Sequence, residues 1–467
     1  MTPPAGTGAA VISGAITSAR TLSKDTVYTL RGFVYADSGA VLTIQAGTKI
    51  VGDTTVPGSA LFVMPGARIE ANGTAAEPIV FTSARSAGNR KPGDWGGLII
   101  VGRASVNRTG SIIEGSNASI TGGRPAGVGY TGRTNDADNS GTLRYVRVEF
   151  AGFGVATNQE LNSFTLAAVG RGTTLEYLEA LSGLDDHYEW FGGNADARFL
   201  VSYESGDDHY DASEGFRGRV QYLIAYQSAV LQPAAGTGSV SSDPQGFEVD
   251  GCDGTGCTAT GTANAQSSTP YTMPVFANFT VIGAGTNFNS TSGNIGAVIR
   301  RGTGGVWVNG VIGRWSRWGV SMRDTTTQNR LTADSLNFRN VYLVESGPSN
   351  QPYDTASAPG LAFRNAVTAQ NEIAAGTVTT ASLFTAMPTA PAANAAVSGF
   401  DWQPGATSPL AAGGSGAFTA LTGANGALIQ NRVTNFFGGT LAGTTFRGAA
   451  APGGTKWWQG WTSYARD

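Results

Sequence analysis

Short apolar runs separated by glycine, asparagine and threonine turns recur from about Thr21 to about Val344. In "VLTIQAGTKI" (Val41–Ile50), Leu42 and Ile44 alternate with polar or small neighbours, the period expected of a half-buried strand. That segment aligns with "ALFVMPGARI" (Ala60–Ile69) at an offset of nineteen, bringing Leu42 onto Leu61, Ile44 onto Val63, Gly47 onto Gly66 and Ile50 onto Ile69. A further nineteen-residue step carries Ile79 of "PIVFTSA" to Leu98 of "GGLIIVG". "RFLVSYES" from Arg198 resembles "QYLIAYQS" from Gln221, twenty-three residues on. A β-rich repeat near twenty residues predicts a solenoid whose strands pair coil on coil at about 4.7–4.9 Å. The Leu/Asn consensus of leucine-rich repeats is missing and no helical period recurs, so the expected fold is all-β, a parallel β-helix.

The pattern divides the chain into an N-terminal segment over 1–20, a β-helix over 21–345 and an irregular capping or packing region over 346–467. Two stretches are too long and polar to be rungs, 114–141 and 228–272, and read as excursion loops. The aromatic tail "KWWQGWTSY" suits packing across the open end of the solenoid, where unpaired strand edges need a cover.

Composition narrows the function. The 467 residues include 67 glycines, only 13% are charged and the net charge is −3, which argues against a nucleic-acid binder. No apolar run reaches the roughly 18 residues that span a bilayer. Cys252 and Cys257 in "GCDGTGC" predict a short disulfide loop; reduced thiols are the alternative, and zinc lacks further cysteines. The low-complexity "TPPAGTGAA" after Met1 reads as a mature chain given a new initiator, in keeping with export. "GVGYTG" lacks the strand-to-helix context of a dinucleotide loop, and neither a phosphate loop nor a nucleophile triad stands out.

The run "GTAAEPIVFTSARSAGNRKPGDWGGLIIVGRASVN" (Gly73–Asn107) resembles exported bacterial right-handed parallel β-helix proteins of the pectate-lyase-like superfamily. "SGTLRYVRVEFAG", "GLDDHYEWFGG", "LVSYESGDDHYDASEGFRGRVQYLIAYQ" and "GFEVDG" are similar to an uncharacterised surface-lipoprotein or secreted branch of that group. The resemblance covers roughly residues 22–344 and the closing "WWQGWTSY". It implies a right-handed coil and a secreted or outer-surface location in a Gram-negative-type bacterium.

Both histidines fall inside one repeated word, "DDHY", at Asp185–Tyr188 and Asp207–Tyr210, twenty-two residues apart. On a β-helix of that pitch, Asp185 stacks on Asp207, Asp186 on Asp208, His187 on His209, Tyr188 on Tyr210, and Glu189 lies beside Asp211. Carboxylates about 5 Å apart cannot all ionise without relief. A shared proton, a cation, or a salt bridge to Arg217, Arg219 or Arg198 would supply it.

Three readings follow. The first is a calcium site, for which Asp185, Asp207 and Asp211 are candidate ligands. Asp136 and Asp138 in "DADNSG" are further candidates, although Arg147 stands where an EF-hand needs glutamate, and Glu248, Asp250 and Asp253 form another acidic group. The second is acid–base chemistry on a glycan, with Asp186 and Asp208 as acid and base, or Arg217 as a lyase base. The Gly-His-Gly and Arg-x-Lys elements of polygalacturonases are missing. The third is a polar ladder that pins the coil register. His187, His209, Tyr188, Tyr210, Trp315 and Trp318 are candidate ligand contacts, the tryptophans as stacking surfaces beside Arg314 and Arg317. The expectation is a secreted or surface β-helix that binds, with polysaccharide or cell-surface glycan as partner and calcium as the one candidate cofactor. A polysaccharide lyase or glycoside hydrolase is the alternative, and end-to-end self-association into filaments a further one.

Overall fold

The computed structural model describes residues 8–157, 159–259, 265–287, 292–369, 373–376, 378–421 and 429–467. Among these, twenty-five strands join in one hydrogen-bonded array. Each strand pairs in parallel with its counterpart one coil before and one coil after, the arrangement of a parallel β-helix with three faces. One face runs through Ala60–Val63, Gly97–Val101, Phe164–Ala167, Tyr188–Phe191, Tyr210–Ser213, Gln245–Asp250, Ile295–Arg300 and Trp318–Met322. The other two are the halves of longer strands such as Thr174–Leu181, Ala197–Tyr203, Arg219–Tyr226 and Val275–Ile282.

Those long strands turn the corner at one residue of positive φ: Tyr177 at 54°, Phe199 at 61°, Tyr222 at 64° and Asn278 at 52°. Bulky residues seldom adopt that conformation. Here their rings stack up the corner, Tyr145 on Tyr177 at 4.3 Å, Tyr177 on Phe199 at 4.5 Å and Phe199 on Tyr222 at 5.0 Å, so coil-on-coil contact offsets local strain. Inside, strand alternation builds a second stack, Phe164–Tyr188–Tyr210–Phe247, with centroids 5.0, 5.4 and 5.5 Å apart.

Four expectations need correction. Strand Gly8–Ile16 already pairs with Thr26–Ala36, so the first coil starts inside the segment assigned to 1–20. The nineteen-residue steps are not coil steps: Leu42 pairs with Ile69, Ile50 with Phe81, and Leu61 with Leu98. They matched because strands on different faces share one amphipathic pattern. Stretch 228–272 is two loops, since Gln245–Asp250 returns to the sheet between them. Lastly, the aromatic tail lies along the side of the solenoid. Trp402, Trp458, Trp461 and Tyr464 pack on Leu181, Val201, Tyr203, Ile224, Tyr226 and Ile282, outward residues that would otherwise form a bare apolar face. The end of the core is met instead by the helix Ala358–Ala369, whose Phe363 and Val367 join the interior beside Phe338 and Met322. The excursion expected over 114–141 occupies the gap between Val101 and Gly141. Its Ile113, Val128 and Tyr130 cover Phe33, Tyr35 and Phe62.

Cys252 and Cys257 are disulfide-bonded, with Cα atoms 5.9 Å apart. No helix among the described residues is long and apolar enough to cross a membrane.

Candidate functional site

Alternation on the first face turns Tyr188, Trp190, Tyr210, Ala212, Phe247 and Val249 into the core. Glu189, Asp211 and Glu248 therefore point outward. The register pairs Glu189 with Asp211 and Asp211 with Glu248, three carboxylates on three successive coils. The turn before each of the first two strands carries the aspartate pairs, Asp185–Asp186 and Asp207–Asp208. Asp186 Oδ1 accepts the Asp208 N–H at 2.8 Å, and Asp208 Oδ1 accepts the Gln245 N–H at 2.5 Å. One carboxylate oxygen per coil thus pins the coil above it.

Loops bring Glu114 and Asp243 to the rim and the short strand Gln159–Glu160 brings Glu160, closing a cleft of about 470 Å³. Among the described residues, ten carboxylates line it against a single guanidinium, that of Arg300. Arg300 is already engaged by Asp250, at 2.8 Å, and by Glu248. Burial above all, with neighbouring carboxylates adding to it, pushes the acids of Asp185, Asp186, Glu189, Asp208 and Asp211 well above the usual range. Burial likewise raises Asp207, against a hydrogen bond from Ser241. Glu114 and Glu248 are each raised to about 7, chiefly by burial.

The donor set fits calcium. In each of three trios, Asp185–Asp186–Asp207, Asp186–Glu189–Asp211 and Asp208–Asp211–Glu248, one oxygen per residue lies within 4.8 Å of the others. A calcium ion about 2.3–2.6 Å from each ligand spans such a separation. Oδ1 of Asp207 and Oδ1 of Asp211 are buried without a hydrogen-bond partner, which leaves them for an ion.

The histidines serve the interior. Gly183 N–H donates to His187 Nε2 at 3.0 Å, so that nitrogen carries no proton. His187 Nδ1–H then faces Ser202 Oγ at 2.7 Å, and the hydroxyl faces His209 Nδ1 at 2.5 Å. Burial holds His187 well below its ordinary pKa, and lowers His209 to about 3. Ser202→Ala should leave buried ring nitrogens unsatisfied and cost about 1–3 kcal/mol in urea unfolding, with no change in the response to calcium. A stability within about 0.5 kcal/mol of wild type would reject the chain.

The structure brings Asp185, Asp186, Asp207, Asp208 and Asp211 into one cleft and leaves several other candidates outside it. His187, His209, Tyr188 and Tyr210 are corrected from ligand contacts to core residues, each at most 1% exposed. Trp315 is buried, donating its indole N–H to Val281 O at 3.1 Å, and Trp318 lies three coils beyond Asp211 on the same face. Neither lines the cleft. Arg217, offered as a base, bonds Asp136 at 3.1 Å in a different pocket, which also occupies a candidate metal ligand. Asp138 is buried beside Ser140, 3.3 Å from its hydroxyl. Arg198 and Arg219 pair with Glu176 and Asp196, so none of the three expected arginines relieves the ladder. Glu248 joins the cleft, whereas Asp250 and Asp253 bind Arg301. Glu114, Glu160, Asn162 and Asp243 were not legible, since loops of irregular length deliver them; only their acidity set three of them apart.

A three-faced coil with an acidic groove along one side defines a parallel β-helix protein of the kind that carries a lateral cleft. The chain belongs to the pectate-lyase-like β-helix domain family, whose pattern it matches over residues 14–395. No curated protein and no solved structure matches it significantly.

Proposed function

We propose that the acidic cleft holds calcium, and that the protein is a secreted or cell-surface β-helix that binds glycan through it. The observation that carries this reading is the set of three interlocking carboxylate trios with buried, unpartnered oxygens on Asp207 and Asp211. Calcium takes six to eight oxygens, and ions in an open cleft keep positions for sugar hydroxyls or uronate carboxylates. Among the described residues no aromatic ring lines the cleft, so polar coordination rather than ring stacking would grip the sugar. The disulfide is in keeping with an oxidising compartment.

Cleavage by Asp186 and Asp208 has less support, because each commits an oxygen to a backbone amide of the next coil. Filament growth is disfavoured at one end, where the helix Ala358–Ala369 covers the core. Passed over immobilised polygalacturonate or alginate, the protein should be retained more strongly in millimolar calcium than in EGTA. The Glu189→Gln/Glu248→Gln variant should lose that calcium-dependent increase. Equal retention with and without calcium would refute calcium-mediated binding.

A further inference from the structure

A second pocket, on another part of the coil, has the opposite charge. It encloses about 460 Å³ and is lined by Arg171, Asn194, Asp196, Arg217, Arg219 and Arg432, among others. Successive coils supply it: the Asn194 N–H donates to Val169 O at 2.9 Å, and the Arg217 N–H to Gly193 O at 2.9 Å. Two of the four guanidiniums have carboxylate partners, Arg217 with Asp136 and Arg219 with Asp196. Arg432 donates to the carbonyls of Met273 and Arg217, which orient its guanidinium without neutralising it. Arg171 is exposed and has no carboxylate partner. Four cations against two carboxylates leave a surplus of two positive charges.

Asn194 supplies an independent sign of a ligand. It is 5% exposed, yet neither its amide nitrogen nor its amide oxygen has a hydrogen-bond partner, and the buried Nε of Arg217 is also unmatched. Native proteins rarely leave such donors empty. Planar guanidinium groups match the geometry of carboxylate, sulfate and phosphate oxygens.

We propose that this pocket binds an oxyanion, a carboxylate, sulfate or phosphate group, gripped by Arg171, Arg217 and Arg432 with Asn194 donating its amide. The anion is either free or carried on an acidic polysaccharide, and the site does not depend on calcium in the acidic cleft.

The test titrates the full chain with sodium sulfate and with sodium phosphate in EGTA, against sodium chloride at equal ionic strength, by calorimetry. Arg171→Gln removes an exposed group with no carboxylate partner, so folding is not at stake, and should weaken binding about tenfold. Asn194→Ala, checked by its melt, should weaken it as well. Tighter binding of oligogalacturonate than of the inorganic ions, with the same loss in Arg171→Gln, identifies a polymer-borne group; equal binding identifies a free anion. No difference between sulfate, phosphate, oligogalacturonate and chloride, or undiminished affinity in Arg171→Gln, overturns the proposal.

Discussion

Stripped of calcium, the protein should lose stability as pH rises from about 5 to about 8, and saturating calcium should offset part of that loss. In the unfolded chain the cleft carboxylates release their protons near about pH 4. Folded, they hold protons to higher pH, Glu114 and Glu248 to about 7 and the aspartates of the doubled word upward as well. Between those limits the folded state binds more protons than the unfolded one, so stability falls with rising pH. Glu248 alone, raised from 4.5 to about 7, corresponds to a destabilisation of about 3 kcal/mol once it ionises. The two histidines act in the opposite sense. Their lowered pKa values make the folded state gain stability as pH rises toward about 6.5, but they are outnumbered by the cleft acids. Calcium at about a hundred times its dissociation constant should return about 3 kcal/mol. Combining Glu189→Gln, Asp211→Asn and Glu248→Gln should flatten the metal-free pH profile and remove the response to calcium. Thermal melts in EGTA and in calcium across this range provide the check; a metal-free profile that rises with pH would contradict the electrostatic account.

Trp461→Ala should be among the most damaging single substitutions outside the coil, costing about 3–5 kcal/mol. Trp461 is fully buried against the outer corner of the solenoid, edge-on to Tyr145 at 5.6 Å and Tyr177 at 6.2 Å. Its carbonyl accepts from Arg147 at 3.1 Å, and two residues on the Ser463 N–H donates to the buried Glu179 carboxylate at 3.0 Å. Removing the ring opens a cavity over the aromatic ladder and loosens the strap that satisfies Glu179. Denaturant unfolding and protease sensitivity of the tail measure this. A stability within about 1 kcal/mol of wild type would mean that the tail only rests on the coil.

Twenty-two residues separate the two copies of the doubled word because no insertion interrupts the coil between Tyr188 and Tyr210. That uninterrupted turn made the register, and with it the aspartate ladder, readable from spacing. The next floor was hidden. Glu248 stacks on Asp211 although it lies thirty-seven residues on, because a loop leaves the coil after Tyr226 and returns at Gln245. Glu114 reaches the rim from a loop and Glu160 from a short hairpin off the coil, where no periodicity marks them. The tail's aromatic character was plain, but its resting place was not. Val201, Ile224 and Ile282 read as ordinary strand apolars, and only three-dimensional alternation reveals that they face outward and need a cover.

The most direct test is diffraction from crystals grown in calcium, with data collected where the ion scatters anomalously. An anomalous peak between Asp186, Glu189 and Asp211, or in either adjoining trio, is the result expected. A fully ordered cleft with no such peak at saturating calcium would contradict the reading of these carboxylates as an ion site.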